Sequence, residues 1–130
     1  MTDSDDRTPA ERARMLLRDA DTCTLATASS AGVPEAATIR FVADDEYNIC
    51  FNTSTTYRKY ENLRANPRVA VVVDGAAGTL QLEGEARELT GTEEDAAVDR
   101  YVEKYGHSPY LTHDNSTRFV VETDWARFLI

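Results

Sequence analysis

Apolar positions near the start of the chain recur with the period of a helix. Thr8-Pro9-Ala10-Glu11 has the order of a capping box, with proline at the first helical position. Spacings of three, four and seven then place four apolar residues on one helical face: Ala13, Leu16, Leu17 and Ala20. The pattern predicts an N-terminal helix that begins after Thr8.

Beyond Asp21 the period changes to two, which is the spacing of a strand. The predicted strands are 22–29, 35–43, 47–53, 68–74, 79–89 and 117–130. The range 68–74 lacks alternation and predicts a strand covered on both faces, and Gly84 predicts a bulge or barrel corner. Six strands with short turns predict a mainly β (α+β) fold, a six-stranded antiparallel barrel, closed or partly closed, with flanking helices.

Two further helices are predicted between strands of this series. The first spans about 56–65, with Ser and Thr residues available as N-caps and Pro67 as a stop. The second begins after Thr92 with an acidic first turn, and Gly106 marks its end. Residues 1–130 are therefore predicted to form a single domain, with 1–7 as a disordered tail.

Composition narrows the class of protein. The 130 residues are 42% hydrophobic and carry a formal net charge of −9, which argues against disorder and against nucleic-acid binding. No apolar run approaches the roughly 18 residues of a membrane span, and no signal peptide is evident, so a cytoplasmic protein is expected. The chain has only two lysines, Lys59 and Lys104, and many acidic residues, which suggests a surface adapted to high salt. If the stability of the protein did not fall at low KCl concentration, salt adaptation would be excluded.

Cysteine and histidine patterns give no sign of a metal site. Cys23 and Cys50 lie in strand-like runs without CxxC spacing, so two reduced core thiols are expected. His107 and His113 flank a short loop and belong to no cluster of zinc ligands, so both are expected at the surface.

Arg58 and Lys59 are placed unusually for a chain of this charge. They fall in the first turn of the helix predicted at 56–65, where the free N–H groups already carry partial positive charge. They could be two solvated charges on an exposed face. However, four hydroxyl residues, 53–56, precede them, and together with the helix N-terminus they would suit a phosphate group. No GxxxxGK[ST] motif is present, so a single terminal phosphate is favoured over a nucleoside triphosphate.

Three stretches of the sequence resemble the pyridoxamine 5′-phosphate oxidase-like family of FMN-binding split β-barrels. They are CTLATASSAGVPEAATIRFV (23–42), FNTSTTYRKYENLRANPRVAVVV (51–73) and LEGEAREL (82–89). The middle stretch is similar to the family pattern F-x-T, R-K and N-L-x-x-N-P-x-V. The likeness covers about residues 12–90 and implies a six-stranded split barrel that forms a homodimer with FMN at the subunit interface.

The resemblance also implies roles for individual residues. The FMN phosphate would be held by Arg58 and Lys59, helped by Asn52, Thr53 and the turn residues through Tyr57. The strand segment Thr38-Ile39-Arg40 would run along the isoalloxazine ring. Two residues on other strands are also implied to contact the cofactor. Thr79 would make a polar contact, and Trp125 would approach the flavin of the other subunit.

Departures from the family pattern bear on the reaction. Ala37 and Val42 stand where pyridoxamine phosphate oxidases carry basic residues, and Tyr57 replaces the serine before the Arg-Lys pair. After Trp125 only ARFLI follows, without the family's Arg-x-His substrate clamp. Oxidation of vitamin B6 substrates is therefore not expected.

Three function classes remain open for this sequence. One is an FMN-dependent oxidoreductase that uses NAD(P)H or a reduced deazaflavin and acts on a small molecule. The second is a protein that stores or senses FMN, a deazaflavin or haem without efficient turnover. The third is a structural dimer that binds no ligand, for which loss of Arg58 or Lys59 would be neutral or slightly stabilising. No catalytic residue is identified, and Tyr57, Arg40 and Tyr110 are candidates for the substrate side.

Overall fold

An antiparallel sheet that curls into a half-barrel forms the centre of the molecule. The computed structural model describes residues 7–129, so the tail predicted at 1–7 lies outside the described residues apart from Arg7. In chain order, the elements of this range are α1 (Pro9–Asp19), β1 (Cys23–Ala28), β2 (Pro34–Ile39), β3 (Val42–Ala43), β4 (Ile49–Ser54), α2 (Arg58–Ala65), β5 (Arg68–Gly75), β6 (Gly78–Glu88), α3 (Gly91–Tyr105), a 3-10 turn (Pro109–Leu111) and β7 (Ser116–Leu129).

The strand order across the sheet is β2-β1-β5-β6-β7-β4-β3, and every pair is antiparallel. The predicted fold class, mainly β with flanking helices, is confirmed. The described residues form seven strands and not six, because the strand predicted at 35–43 divides in two. At the break, Phe41 N lies 3.1 Å from the Tyr105 hydroxyl, which itself donates to Phe41 O at 2.8 Å. These contacts with α3 draw the backbone out of the ladder between β2 and β3.

The helix ends agree only in part with the predictions. The capping box of α1 is confirmed, since Thr8 Oγ1 accepts from Glu11 N and the Glu11 side chain accepts from Thr8 N. The hydroxyl cap predicted for α2 is wrong, because Tyr57 occupies the N-cap position without a side-chain cap bond. The N-cap predicted for α3 is also wrong, since the helix begins one residue after Thr90.

The main core fills the concave side of the sheet. The apolar face of α1 packs there with the inward residues of the strands, among them Phe41, Phe51 and Leu80. Both cysteines are buried and unpaired, as predicted, and burial raises the pKa of the Cys23 thiol to about 12. A smaller cluster holds α3 against the outer side of β4 and β7.

Strand β5 differs from its prediction, whereas β6 agrees with it. Val72 is 38% exposed while Val71 and Val73 are buried, so β5 is covered on one face only within this chain. The bulge predicted at Gly84 is confirmed by a register shift between Glu83 and Gly84 against β7. A Cβ on Gly84 would lie 2.2 Å from Glu122 O, so the strands approach there more closely than a side chain permits.

Candidate functional site

A cavity opens where the two ends of the curled sheet face each other. Its volume is about 330 Å³, within the usual range of small-ligand sites. We name it the cationic cavity, because Arg40 and Lys59 are its charged lining residues. The full lining comes from β2, β4, α2, α3 and the 3-10 turn: Thr38, Ile39, Arg40, Asn52, Tyr57, Lys59, Tyr101, Ser108 and Tyr110.

Lys59 supplies a partly buried positive charge to this cavity. Partial burial lowers the pKa of its ammonium below the ordinary value, and the nearby Glu35 carboxylate opposes that shift. Among residues 7–129, no carboxylate lies within ion-pair distance of Lys59. Its Nζ lies instead 5.9 Å from the centre of the Tyr57 ring. The cavity therefore holds a cation whose charge is only weakly compensated.

Asn52 is another polar residue in the lining of the same cavity. Strand alternation on β4 turns Phe51 and Thr53 into the barrel interior, which leaves Asn52 facing the opposite way. The Asn52 Nδ2 atom is buried and has no hydrogen-bond partner. An unpartnered buried donor carries a free-energy cost of about 1–3 kcal/mol, which a ligand acceptor would remove.

The third part of the site is the edge of the sheet. Strand β2 is the terminal strand, so one row of its backbone N–H and C=O groups faces away from β1. Residues 38–40 of this segment line the cavity. Arg40 is held over the Tyr105 ring, with 5.2 Å between the guanidinium carbon and the ring centre. The cavity thus combines cations with a run of backbone hydrogen-bonding groups.

Tyr57 and Tyr110 form one wall of the cavity. Their hydroxyls are hydrogen-bonded to each other, and we call them the tyrosine pair. This bond raises the pKa of Tyr110 above its ordinary value, because the shared hydrogen bond favours the protonated phenol. Both rings remain almost half exposed, at 44% and 46%.

Arg58 lies outside the cationic cavity. Its side chain is 71% exposed, and its Nε and Nη2 atoms lie 2.6 Å from a Glu35 carboxylate oxygen on β2. The carboxylate offsets the unfavourable placement of one cation in the first turn of α2. Of the two cations predicted at the N-terminus of α2, Lys59 is therefore the one whose charge is not paired with a carboxylate in the described part of the chain.

The other residues implied by the resemblance are spread over the fold. Thr53 is 1% exposed in the barrel interior, and its hydroxyl has no partner. Thr79 donates to Asp74 Oδ1 at 2.6 Å in the β5–β6 hairpin. Trp125 lies on β7, where it pairs with Glu83 of β6, and it is 44% exposed. Within this chain, none of the three lines the cationic cavity.

Two lining residues were not predicted from the sequence. Tyr101 belongs to the buried stripe of α3 and so resembled an ordinary core residue. Ser108 caps the 3-10 turn, where its hydroxyl accepts from Tyr110 N. No local pattern distinguishes either residue, since both reach the cavity only through the packing of α3 on the sheet.

Comparison with known proteins identifies the family. The profile of the family described as pyridoxamine 5′-phosphate oxidase matches residues 9–129. The chain belongs to this family. It is 36% identical over 80 residues to a pyridoxine/pyridoxamine 5′-phosphate oxidase of Alkalilimnicola ehrlichii, an alignment that covers 60% of this chain but only 41% of the relative. The chain thus spans about two fifths of that relative's length.

Solved structures share the fold at low sequence identity. HutZ, a haem storage protein from Vibrio cholerae, superposes with a TM-score of 0.82 at 16% identity, over 92% of this chain and 93% of its own. A haem-binding protein from Mycobacterium smegmatis gives 0.82 at 21% identity, over 97% and 55%. An F420 reductase gives 0.73 at 23% identity, over 88% and 94%. At these identities the likeness concerns the fold alone.

Two classes of feature are absent from the described part of the chain. Over residues 7–129 there is no group of three or more His, Cys, Asp or Glu side chains that could hold a metal ion. No helix in the same range has both the length and the apolar character required to cross a membrane.

Proposed function

We propose that this protein binds FMN in the cationic cavity and acts as an oxidoreductase on a small molecule. The observation that carries the proposal is the convergence of the Lys59 ammonium and the unpartnered Asn52 amide at one cavity. Both groups are donors, both are at least partly buried, and neither has an acidic partner among the described residues. Such a pair favours an anionic ligand with several acceptor oxygens, as in a terminal phosphate.

Helix α2 adds to the preference for an anion. Its N-terminus carries partial positive charge, and no side chain caps its free N–H groups. Lys59 lies in the first turn, so the helix and the side chain favour the same kind of ligand. The exposed Arg58 would contribute only if it left Glu35, and we expect it to be the weaker contact.

The remaining lining fits a planar ring system with polar edges. The free backbone groups of 38–40 would offer donors and acceptors to such an edge. The rings of Tyr57, Tyr101 and Tyr110 would cover apolar surface. Bound FMN would supply the hydride chemistry, so the protein needs no catalytic triad of its own. The chain's residues would position the ring and keep water from it.

A homodimer would complete the site. Val72 on β5 and Trp125 on β7 are large apolar residues exposed at 38% and 44% on this chain. A second copy packed on this side of the sheet would bury them and would explain why β5 has an apolar sequence on both faces. Trp125 would then reach the cofactor of the other copy, the role that the family resemblance implies.

A deazaflavin and haem are the alternative cofactors. A deazaflavin would use the same anion contacts and ring platform. Haem would need an axial ligand, and among the usual ones the described lining of the cationic cavity offers only tyrosine. Tyrosine binds haem iron as the phenolate, which the raised pKa of Tyr110 disfavours. FMN is therefore favoured over haem in this cavity.

Titration of the purified apoprotein tests the proposal. FMN, a deazaflavin and haemin are added separately, and binding is followed by flavin fluorescence or by the haem Soret band. We expect FMN to saturate at one per chain and NADPH to bleach the bound flavin within minutes. Bound FMN that NADPH does not bleach would favour a flavin store. Failure to bind FMN, with tight binding of haemin, would overturn the proposal.

A further inference from the structure

A second cavity adjoins the cationic cavity on the far side of the tyrosine pair. Its volume is about 270 Å³. We name it the neutral cavity, and its lining comes from the end of β4, the turn before α2, the 3-10 turn and the start of β7: Ser54, Thr56, Tyr57, Pro109, Tyr110, His113, Asn115 and Ser116. Tyr57 and Tyr110 line both cavities and so separate them.

The two cavities differ in charge. The described lining of the neutral cavity contains no lysine, arginine, aspartate or glutamate, whereas Arg40 and Lys59 line its neighbour. Its surface consists of two tyrosine rings, one proline ring and short hydroxyl, amide and imidazole groups. A charged ligand would find no opposite charge there to repay the loss of its water shell. An uncharged ligand would lose much less.

Hydrogen-bonding capacity remains available inside the neutral cavity. The Ser116 hydroxyl oxygen is buried and has no partner. Ser54 and Thr56, in contrast, already share a hydrogen bond of 2.7 Å between their hydroxyls. His113 Nδ1 accepts from Asn115 N at 3.3 Å, which assigns the proton of the neutral ring to Nε2 and leaves Nε2 as a donor. Ser116 and His113 are thus the two lining residues with unused hydrogen-bonding capacity, and the buried Ser116 hydroxyl would have to rotate towards the cavity to bind a ligand.

We propose that the neutral cavity binds a small, uncharged aromatic molecule that carries a hydroxyl or carboxamide group. The tyrosine and proline rings would cover its planar faces, and Ser116 and His113 would bind its polar group. The tyrosine pair would lie between this molecule and a flavin in the cationic cavity, so direct hydride transfer between the two is not expected. The neutral cavity is therefore proposed as an ancillary binding site, whose occupancy does not depend on the proposed function.

Benzamide and benzoate test the charge preference directly, since they differ mainly in charge. The ¹⁵N-labelled apoprotein is titrated with each compound, and the backbone amide shifts are followed by NMR. We expect benzamide to shift the amides of residues 54–57 and 110–116, with a dissociation constant in the millimolar range, as its roughly nine non-hydrogen atoms allow. We expect benzoate to bind there at least about tenfold more weakly. Equal binding of the two compounds, or no shifts in these segments, would overturn the proposal.

The two histidines of the same region provide a matched pair of variants. His113→Ala removes the proposed donor and should weaken benzamide binding about fivefold, the effect of one lost hydrogen bond. His107→Ala removes an exposed histidine that lines neither cavity and should leave the affinity unchanged. Equal effects of the two variants would count against the site.

FMN titrations of the same proteins separate this inference from the proposed function. His113→Ala should bind FMN like the wild type, because His113 does not line the cationic cavity. If FMN fails to bind while benzamide binding depends on His113, the cofactor proposal is wrong and the neutral site stands. If FMN binds as expected but benzamide shows no dependence on His113, the neutral site is wrong.

Discussion

Replacement of Lys59 by methionine removes the charge from the cationic cavity while keeping the length of the side chain. In the ligand-free protein, Lys59 opposes the helix dipole and is partly desolvated, as its lowered pKa reflects. A cation at a helix N-terminus costs about 0.3–1 kcal/mol. Lys59→Met should therefore raise the free energy of unfolding of the apoprotein by about that amount, measured by urea denaturation.

The same variant should weaken FMN binding. A hydrogen bond to a charged group contributes about 1.5–3 kcal/mol, so its loss corresponds to a dissociation constant roughly 10–150-fold higher. The opposite signs of the two effects are diagnostic, because a purely structural lysine would give no loss of ligand affinity. Quenching of FMN fluorescence on titration with protein provides the measurement.

Arg64→Met is the matched control for this variant. Arg64 lies in the last turn of the same helix, where it contacts the Tyr60 hydroxyl, and its loss changes the net charge equally. It should leave FMN affinity unchanged and should slightly destabilise the apoprotein, since cations are favourable at a helix C-terminus. An unchanged FMN affinity in Lys59→Met, or an equal loss in Arg64→Met, would refute the reasoning.

Three further predictions concern stability, each measured by urea unfolding. Tyr105→Phe removes the hydroxyl that contacts both Phe41 N and Phe41 O, and should cost about 1–3 kcal/mol. In the folded protein the Cys23 thiol has a pKa of about 12 and stays protonated, whereas in the unfolded chain it ionises above about pH 9. Ionisation therefore stabilises only the unfolded state, and the free energy of unfolding of the wild type should fall above that pH. The advantage of wild type over Cys23→Ala should thus shrink by about 1 kcal/mol between roughly pH 8 and 10, and a constant difference would contradict this. Gly84→Ala should cost about 1–3 kcal/mol, because its Cβ would lie 2.2 Å from Glu122 O.

Local signals in the sequence were sufficient for much of the fold. The capping box at Thr8 and the bulge at Gly84 each depend on a few neighbouring residues, and both predictions are confirmed. Most strand ranges also follow from local alternation, and 68–74 follows from an unbroken apolar run. The break between β2 and β3 does not, because it depends on Tyr105, which is more than sixty residues away along the chain.

The exposure of Val72 was not predictable for a related reason. An apolar run indicates that both faces of a strand prefer burial, but it does not say what covers them. In this chain one face of β5 packs on the core and the other remains open. The sequence pattern is that of a strand covered on both sides, which is the basis for the homodimer proposed above.

The candidate site, like the fold, was predictable where it depends on nearby residues and not where it depends on contacts between distant ones. Of the predicted residues, Asn52, Lys59 and the segment 38–40 lie around one cavity together with the tyrosine pair. The ion pair of Arg58 with Glu35 joins residues on different elements and could not be inferred from the helix alone. From the sequence alone, Arg58 and Lys59 were equally good candidates for an anion contact. In the structure Arg58 is paired with Glu35, so Lys59 is the stronger candidate.

A crystal structure of the protein with FMN tests the central claim most directly. We predict that the FMN phosphate contacts Lys59 Nζ and the N-terminus of α2, with the ring system along residues 38–40. A larger cavity, of about 510 Å³, lies beside α1 and is lined by Arg14, Arg18 and Arg100 among others. Density for the phosphate in that cavity, or no FMN density near Lys59, would contradict the account.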